Sequence, residues 1–529
     1  MMKKVWKKAM AVTLAGAVAV LAGCAGKTSG QAAGDGQSQS APGEAGTQAG
    51  KPSITMMIPQ FYGTELKNDH SDEVIKRYED HTNTHVEWRW EANDTYKEKL
   101  GLVLMDKDNM PMIITASGDY LTANVVDAAK KGAFWDLSGY LKDGASYPNL
   151  SQADGKVLKA LTVDGSIIGI YRAREIGRYG FSYRTDWAEA VGITEEPKTV
   201  EDVYNMLYKF TYEDPDGNGK ADTTGLEMTK YVGPIDIMQT WFGCGNEWVE
   251  QDGKLVPVHQ TPEYKEALKW IKKIYDDGLI RRDWATVDSG TFGDALKKGE
   301  AGAFIDVMDS AKRIWNYYIQ NDVRSVTDPA KTATMTMVGP VNGTTLATSG
   351  FNGYYLITKA GARTEEDVKN CLHFLDKMCD DEMMVLADYG LEGVTYDLND
   401  AGKVVMRNEL EVQQTPQVGL NQNICYIPNL TPGSPSLEKK ESDIAQEESY
   451  ARNRKVAIYN PALGYLANSG VNAEVGTDIE QIIDDARTQY ICGQIDDAGL
   501  DGAAQQWLDR GGDRLVEEVN ELYQQDPAK

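Results

Sequence analysis

From Pro52 onward, short apolar runs alternate with helix-patterned runs, and this alternation constrains the fold more than any other feature of the chain. SITMMIPQF reads as a buried strand and SDEVIKRYEDHT as a helix. THVEWRW alternates as a strand does, DTYKEKLGLVLMDKD has helical spacing, and MPMIITASG returns to strand. Such an order predicts an α/β sheet, largely parallel. Ligands of these sheets sit outside the carboxyl ends of the strands. The loops Gln60-Phe61-Tyr62-Gly63 and Ser117-Gly118-Asp119-Tyr120 fall at such ends.

Further along, VDGSIIGIYRAREIGRYGFSYRTDWAEAVGI reads as two strands and the start of a helix. Pro197-Lys198-Thr199 opens another helix, with Thr199 and Asp202 spaced as a capping box. Residues 261–278 form an amphipathic helix in which Tyr264, Leu268, Ile271 and Tyr275 share one face, with Gly278 as its C-terminal stop. From Thr477 the chain reads as helices broken at Gly493 and at Gly511-Gly512.

What precedes the alternation sets location. Lys3, Lys4, Lys7 and Lys8 precede an apolar run of small residues that ends in Leu21-Ala22-Gly23-Cys24. That run is too short to span a bilayer and has the form of an export signal. Its end resembles a bacterial lipobox, so residues 1–23 are expected to be a lipoprotein signal peptide and Cys24 the lipidated first residue. Residues 24–51 then form the anchor and a Gly/Ser/Gln/Ala tether that cannot bury a core. No later segment offers ~18 unbroken apolar residues, so the lipid is the only expected membrane contact. The chain carries 54 Lys and Arg against 80 Asp and Glu, a net charge of −26. Loss of the leader's four lysines takes the mature protein to about −30. Nucleic acid is excluded as a partner, because phosphate binding needs basic surface.

The sharpest local motif is Asp214-Pro215-Asp216-Gly217-Asn218-Gly219-Lys220-Ala221-Asp222. Alternate oxygen-bearing side chains round a glycine turn suit a hard cation. Read as a calcium loop, it takes Asp214, Asp216, Asn218, the Lys220 carbonyl and Asp222 as ligands, with Thr223 beside them. It departs from an EF-hand at the last ligand position, where Gly225 stands in place of glutamate. Any bound calcium is expected to be structural. Motifs for catalysis are absent: there is no H-E-x-x-H, G-x-S-x-G, P-loop or G-x-G-x-x-G. His81 and His85 fall at a helix end rather than in a zinc motif. Cys244, Cys371, Cys379, Cys425 and Cys492 are odd in number and widely spaced, and are expected to be buried thiols, with a single bridge left open. Sugar recognition pairs aromatic faces with polar side chains. The stretch Trp241-Phe242-Gly243-Cys244-Gly245-Asn246-Glu247-Trp248 offers two tryptophans in a glycine-rich setting.

LAGC, YRTDWAEAVGI with EPKTVEDVYNMLYKF, DPDGNGKADTTGL, ALKWIKKIYDDGLIRRDWAT, FGDALKKGEAGAF, YGLEGVTYD and the terminal GTDIEQIIDDARTQYICGQIDDAGLDGAAQQWLDRGGDRLVEEVNELYQQ run in order along the chain. Together they resemble the family 1 extracellular solute-binding lipoproteins of carbohydrate ABC importers, above all the alginate-oligosaccharide-binding subgroup. The resemblance implies that residues 52–529 form an α/β, two-lobed periplasmic-binding-protein fold of type II, with hinged lobes and a central ligand cleft. Crossings between lobes are expected near 170–182, 300–309 and 348–355. It also implies calcium in the acidic loop, although the family usually has an acidic residue where this chain has Thr223. Cleft-edge candidates are Tyr62, Asp119, Tyr120, Arg172, Trp241, Trp248, Asp306, Asn352 and Glu392. The implied function is capture of a carbohydrate, an oligosaccharide, by a non-enzymatic monomer that delivers it to ABC permease subunits. A surface-anchored glycoside hydrolase and a binder of a non-sugar solute such as a peptide stay open as alternatives.

Overall fold

Two sheets, each over its own apolar core, organise the described residues. The computed structural model describes residues 50–60, 71–106, 109–407 and 420–526, all within one compact unit, Gln48–Lys529. Cys24 and Tyr62 lie outside the described residues.

The first sheet runs in the order His85–Ala92, Ser53–Gln60, Ile113–Ala116, Phe351–Ile357, Gly169–Ala173. Helices Ser71–Thr82 and Tyr96–Met105 connect its first three strands, which are parallel as the alternation requires. The sheet as a whole is mixed, not largely parallel. Phe351–Ile357 enters from the other lobe and runs antiparallel to both of its neighbours. Strand Ser53–Gln60 is apolar because both its faces are covered: Ile54, Met56 and Ile58 have no exposed surface, and Met57 almost none.

The second sheet orders Met335–Met337, Tyr179–Arg184, Ala301–Val307 and Thr224–Leu226. Helix Val200–Tyr212 starts at the expected capping box: Thr199 Oγ1 accepts from the Asp202 amide at 3.1 Å, and Asp202 Oδ2 accepts from the Thr199 amide at 2.9 Å. Helix Pro262–Asp276 buries Tyr264, Leu268 and Ile271, and Gly278 follows it at φ +76°. Helix Gly470–Ile491 packs on it, and helices Asp497–Trp507 and Asp513–Gln525 follow, separated by a kink at Gly511 with φ +118°. Among the described residues, no helix is long and apolar enough to cross a membrane. Cys244, Cys371, Cys379 and Cys425 are buried, Cys492 is half-buried, and all five are free thiols.

The chain passes from the first sheet to the second through residues 174–178, and returns between Met337 and Phe351. A third passage follows Leu437, which bridges Val404 of the first lobe, and ends in helix Glu441–Asn453, packed on the second lobe. Residues 300–309 make no crossing. Strand Ala301–Val307 sits inside the second sheet, and the helix that follows it, Met308–Gln320, packs on the same sheet. The first and third passages are stitched together. Asn453 Nδ2 donates to the carbonyls of Gly177 at 3.1 Å and Tyr179 at 2.8 Å. Gly177 is needed there, since a Cβ would stand 2.6 Å from the Arg454 amide nitrogen.

Candidate ligand-binding cleft

Strand directions fix where the two lobes present their loops. In the first lobe the carboxyl end of Ile113–Ala116 delivers Asp119 and Tyr120. In the second, Tyr179 begins one strand directly opposite the carboxyl end of another, Val307, and Asp306 precedes that partner. The segment after Thr224–Leu226 brings Tyr231 and helix Gly233–Thr240 to the same end. These edges enclose a cavity of about 2040 Å³. More of its wall comes from Asn246–Trp248, residues 346–349, the turn at Tyr459–Pro461 and the face of helix Gly470–Ile491 that carries Glu480, Ile483, Asp484 and Arg487, and the first lobe adds a stretch within 138–167 that includes Lys142, Lys156 and Lys159.

Its exposed aromatic surface is tyrosine, since Trp248 and Trp507 border it while buried. Tyr120 is 51% exposed and Tyr231 38%, one on each lobe. Tyr231 packs edge-on against Phe292, with ring centroids 5.6 Å apart. Gly233 leaves room for that ring, because a Cβ there would collide with the Tyr231 hydroxyl. Asp306 lies behind, 8% exposed, accepting from Ser310 Oγ at 3.0 Å. Burial holds its carboxyl above the ordinary value, against the Val307 amide, Ser310, Arg313 and Arg178. Arg178 is tied off by Asp309, Nε to Oδ2 at 2.7 Å, and the Tyr450 hydroxyl donates to the same oxygen at 2.7 Å.

Carboxylates dominate one side. Glu247 adopts φ +55°, a strained value for a residue other than glycine. Its Oε2 accepts from Asn460 Nδ2 at 2.7 Å. It reaches the solvent of the cavity, yet the depth of the cavity, then Asp236, Glu480 and Asp119, push its carboxyl up to about 7. Next to it, Asn246 is buried and bonds the carbonyls of Ala347 at 3.1 Å and Ile458 at 2.9 Å, which joins three of the cleft's segments. Arg487, 7% exposed, donates to Asp236 at 2.5 Å and to Asp484 at 2.6 Å.

Asp119, Tyr120 and Trp248 line the cavity, although Trp248 is only 5% exposed. Asp306 stands just behind the lining. Trp241 is a core residue, 3% exposed and edge-on to Trp270. Arg172 lies over the Tyr426 ring at 5.3 Å, while Asn352 and Glu392 are exposed; none of the three lines the cavity. Tyr179, Tyr231, Asp236, Glu247, Glu480, Asp484 and Arg487 were not singled out from the sequence. Glu480, Asp484 and Arg487 did carry a signal, being spaced along one helical face.

In the acidic loop, the amides of Asn218 and Gly219 donate to Asp214 at 3.1 and 3.0 Å. Asn218 Nδ2 bridges Asp216 Oδ2 at 2.7 Å and Asp222 Oδ1 at 3.1 Å. Desolvation, with Asp214 and Asp222 as like-charged neighbours, raises the Asp216 carboxyl. The side chains are of the right type for a hard cation, but as they stand no three carboxylate, histidine or cysteine groups among the described residues converge on a metal position. The Lys220 amide donates to Asn218 Oδ1 at 2.8 Å. Thr223 does not fit the expected set: its side chain is buried and its hydroxyl donates to the Phe210 carbonyl at 2.8 Å.

Comparison with known proteins follows the same lines. The profile of bacterial extracellular solute-binding proteins matches residues 68–375. Lipoprotein LipO of Bacillus subtilis is 35% identical over 528 residues, covering 98% of each chain. The polygalacturonan/rhamnogalacturonan-binding protein YtcQ of the same organism is 28% identical, over 98% of this chain and 99% of its own. Among solved structures, an EF-hand mutant of the Streptococcus pneumoniae ABC-transporter substrate-binding protein FusA in complex with fructo-nystose superposes with a TM-score of 0.58 at 18% identity. That likeness covers 89% of this chain and 99% of the other, and it concerns the fold.

Proposed function

The chain belongs to the bacterial extracellular solute-binding proteins, and from that premise we propose that it captures an oligosaccharide between its lobes and delivers it to an ABC importer. The observation that carries this reading is the cavity itself. At about 2040 Å³ it exceeds the usual small-molecule site and suits several sugar rings. It faces them with Tyr120 from one lobe and Tyr231 from the other, and with carboxylates that accept from hydroxyls. A solute touching both lobes gains contacts when they close, and so shifts the population towards closure. The likeness to YtcQ supports a carbohydrate over a peptide. No hydrolytic step is part of the reading. In a thermal-melt screen, at least one oligosaccharide should raise the melting temperature and be recovered at unchanged length. A response to peptides alone, or shortened sugar, would contradict it.

The export leader, Cys24 and the tether support an extracellular position on a lipid anchor, as does the likeness to a lipoprotein. Fractionation of Cys24→Ala cells should find the protein lost from the membrane or unprocessed; membrane retention after signal cleavage would contradict the anchor.

We also place a structural calcium ion in the loop Asp214–Asp222, where it would take over the position between Asp216 and Asp222 that the Asn218 amide now fills. A ligand that binds only the folded state raises stability. Chelator should therefore lower the melting temperature of wild type and leave Asp216→Ala unchanged. Identical wild-type melting with and without chelator would remove calcium from the account.

A further inference from the structure

We propose that the exported protein closes a disulfide between Cys379 and Cys425, two buried thiols that face each other in the core of the first lobe. The inference rests on the extracellular reading above, because disulfides form and persist in an oxidising exterior. Cys379 follows helix Glu365–Lys377, and Cys425 follows the short helical turn Leu420–Asn423. Side chains lay these two segments against each other. Asp381 accepts from the Thr431 amide at 2.9 Å and from Ser434 Oγ at 2.8 Å, and the Tyr426 hydroxyl donates to Asp388 at 2.7 Å. Between them the thiols of Cys379 and Cys425 are hydrogen-bonded to one another, and the amides of Cys425 and Ile427 also point at Cys379 Sγ. Cys379 is 2% exposed and Cys425 has no exposed surface.

The other thiols are placed differently. Cys371 precedes Cys379 by two helical turns, about 12 Å along the axis, farther than a bridge between them spans. Cys244 and Cys492 belong to the core of the second lobe. The bond forms by exchange with an external disulfide while the exported chain folds, before the core closes over the sulfurs. One of the two thiols gives its proton to solvent, and its thiolate attacks a sulfur of the external disulfide, whose S–S bond breaks and whose other sulfur leaves as a thiolate. The second thiol then loses its proton and attacks the mixed disulfide, expelling the remaining external thiolate. The protein's two electrons end on the external disulfide, which departs as two thiols once protonated. The bond fastens a stretch that serves the first crossing. The Cys425 carbonyl accepts from the amide of Ala173, the last strand residue before that passage, at 2.8 Å. Tyr426, at φ +53°, carries its ring beneath Arg172. The Tyr355 hydroxyl, from the sheet, donates to the Ile424 carbonyl at 3.1 Å.

The test is peptide mapping of the full chain recovered from the cell exterior, alkylated in denaturant without reductant. The peptides that carry Cys379 and Cys425 should be found joined, lighter by two hydrogens than the free pair, with Cys244, Cys371 and Cys492 alkylated. In Cys379→Ala, Cys425 should join the alkylated set. Reductant should lower the denaturant midpoint of wild type, because the bond restrains the unfolded chain, and leave the Cys379→Ala/Cys425→Ala variant where it stands. Alkylation of all five cysteines, a link through any other cysteine, or a wild-type midpoint indifferent to reductant overturns the inference and leaves the extracellular reading standing. Protein held inside the cell with its leader uncleaved removes that reading, and both fall together.

Discussion

Replacing Arg487 by leucine is expected to lower folding stability by about 3 kcal/mol, because it strips the cation from a buried ion-pair set and leaves its carboxylates behind. Arg487 is 7% exposed and joins Asp236 on helix Gly233–Thr240 to Asp484 on its own helix, Gly470–Ile491. Removing one partner of a buried pair typically costs ~3–5 kcal/mol. The lower end applies, since the side chains of Asp236 and Asp484 are 35% and 31% exposed and cavity water screens them. Burial already holds the Asp484 carboxyl above its ordinary value despite Arg487. A carboxyl raised in the folded state disfavours folding as pH rises above its unfolded value, near 4. Loss of Arg487 raises it further. The gap between variant and wild type should therefore be largest at neutral pH and shrink towards pH 5. Denaturant unfolding at the two pH values checks this, and a gap below about 1 kcal/mol at neutral pH would contradict it.

Local chemistry was legible in the sequence, and long-range arrangement was not. The first five elements follow from periodicity, the Thr199–Asp202 box from two residues three apart, and the C-terminal breaks from Gly493, just past a helix that starts at Gly470 rather than at Thr477, and from the Gly511 kink. Crossings are a different matter. An apolar strand followed by a helix looks alike whether the chain changes lobe or, as at 300–309, remains in one sheet. Trp241 shows the same limit on the scale of one side chain. A glycine-rich stretch reads as an exposed loop, yet Gly243 and Gly245, at φ +83° and +90°, turn the chain so that the indole ring is buried against Trp270. The acidic wall is built from segments near 119, 236–247 and 480–487, each of which on its own resembles an ordinary solvated surface.

The same division sets which aromatics are expected to carry binding. An aromatic contributes stacking only where its face is open to the ligand, which favours Tyr120 and Tyr231 over the more conspicuous tryptophans. Trp241→Ala serves as the contrast, since emptying a core site costs stability rather than contact with solute.

The central claim, that a saccharide is held between the two lobes, is tested most directly by titrating wild type, Tyr120→Ala and Tyr231→Ala with one oligosaccharide that binds. Each tyrosine lines the cavity from a different lobe; substitution of half-exposed Tyr120 should bring little shift in melting temperature, and that of Tyr231, packed on Phe292, a modest one that leaves the protein folded. Each should cost on the order of 2 kcal/mol of binding, the range of residues that anchor a ligand. Loss of affinity from both substitutions, with the fold intact, is the result expected of a sugar clamped by both lobes. Wild-type affinity in both variants would place the sugar elsewhere and contradict the account.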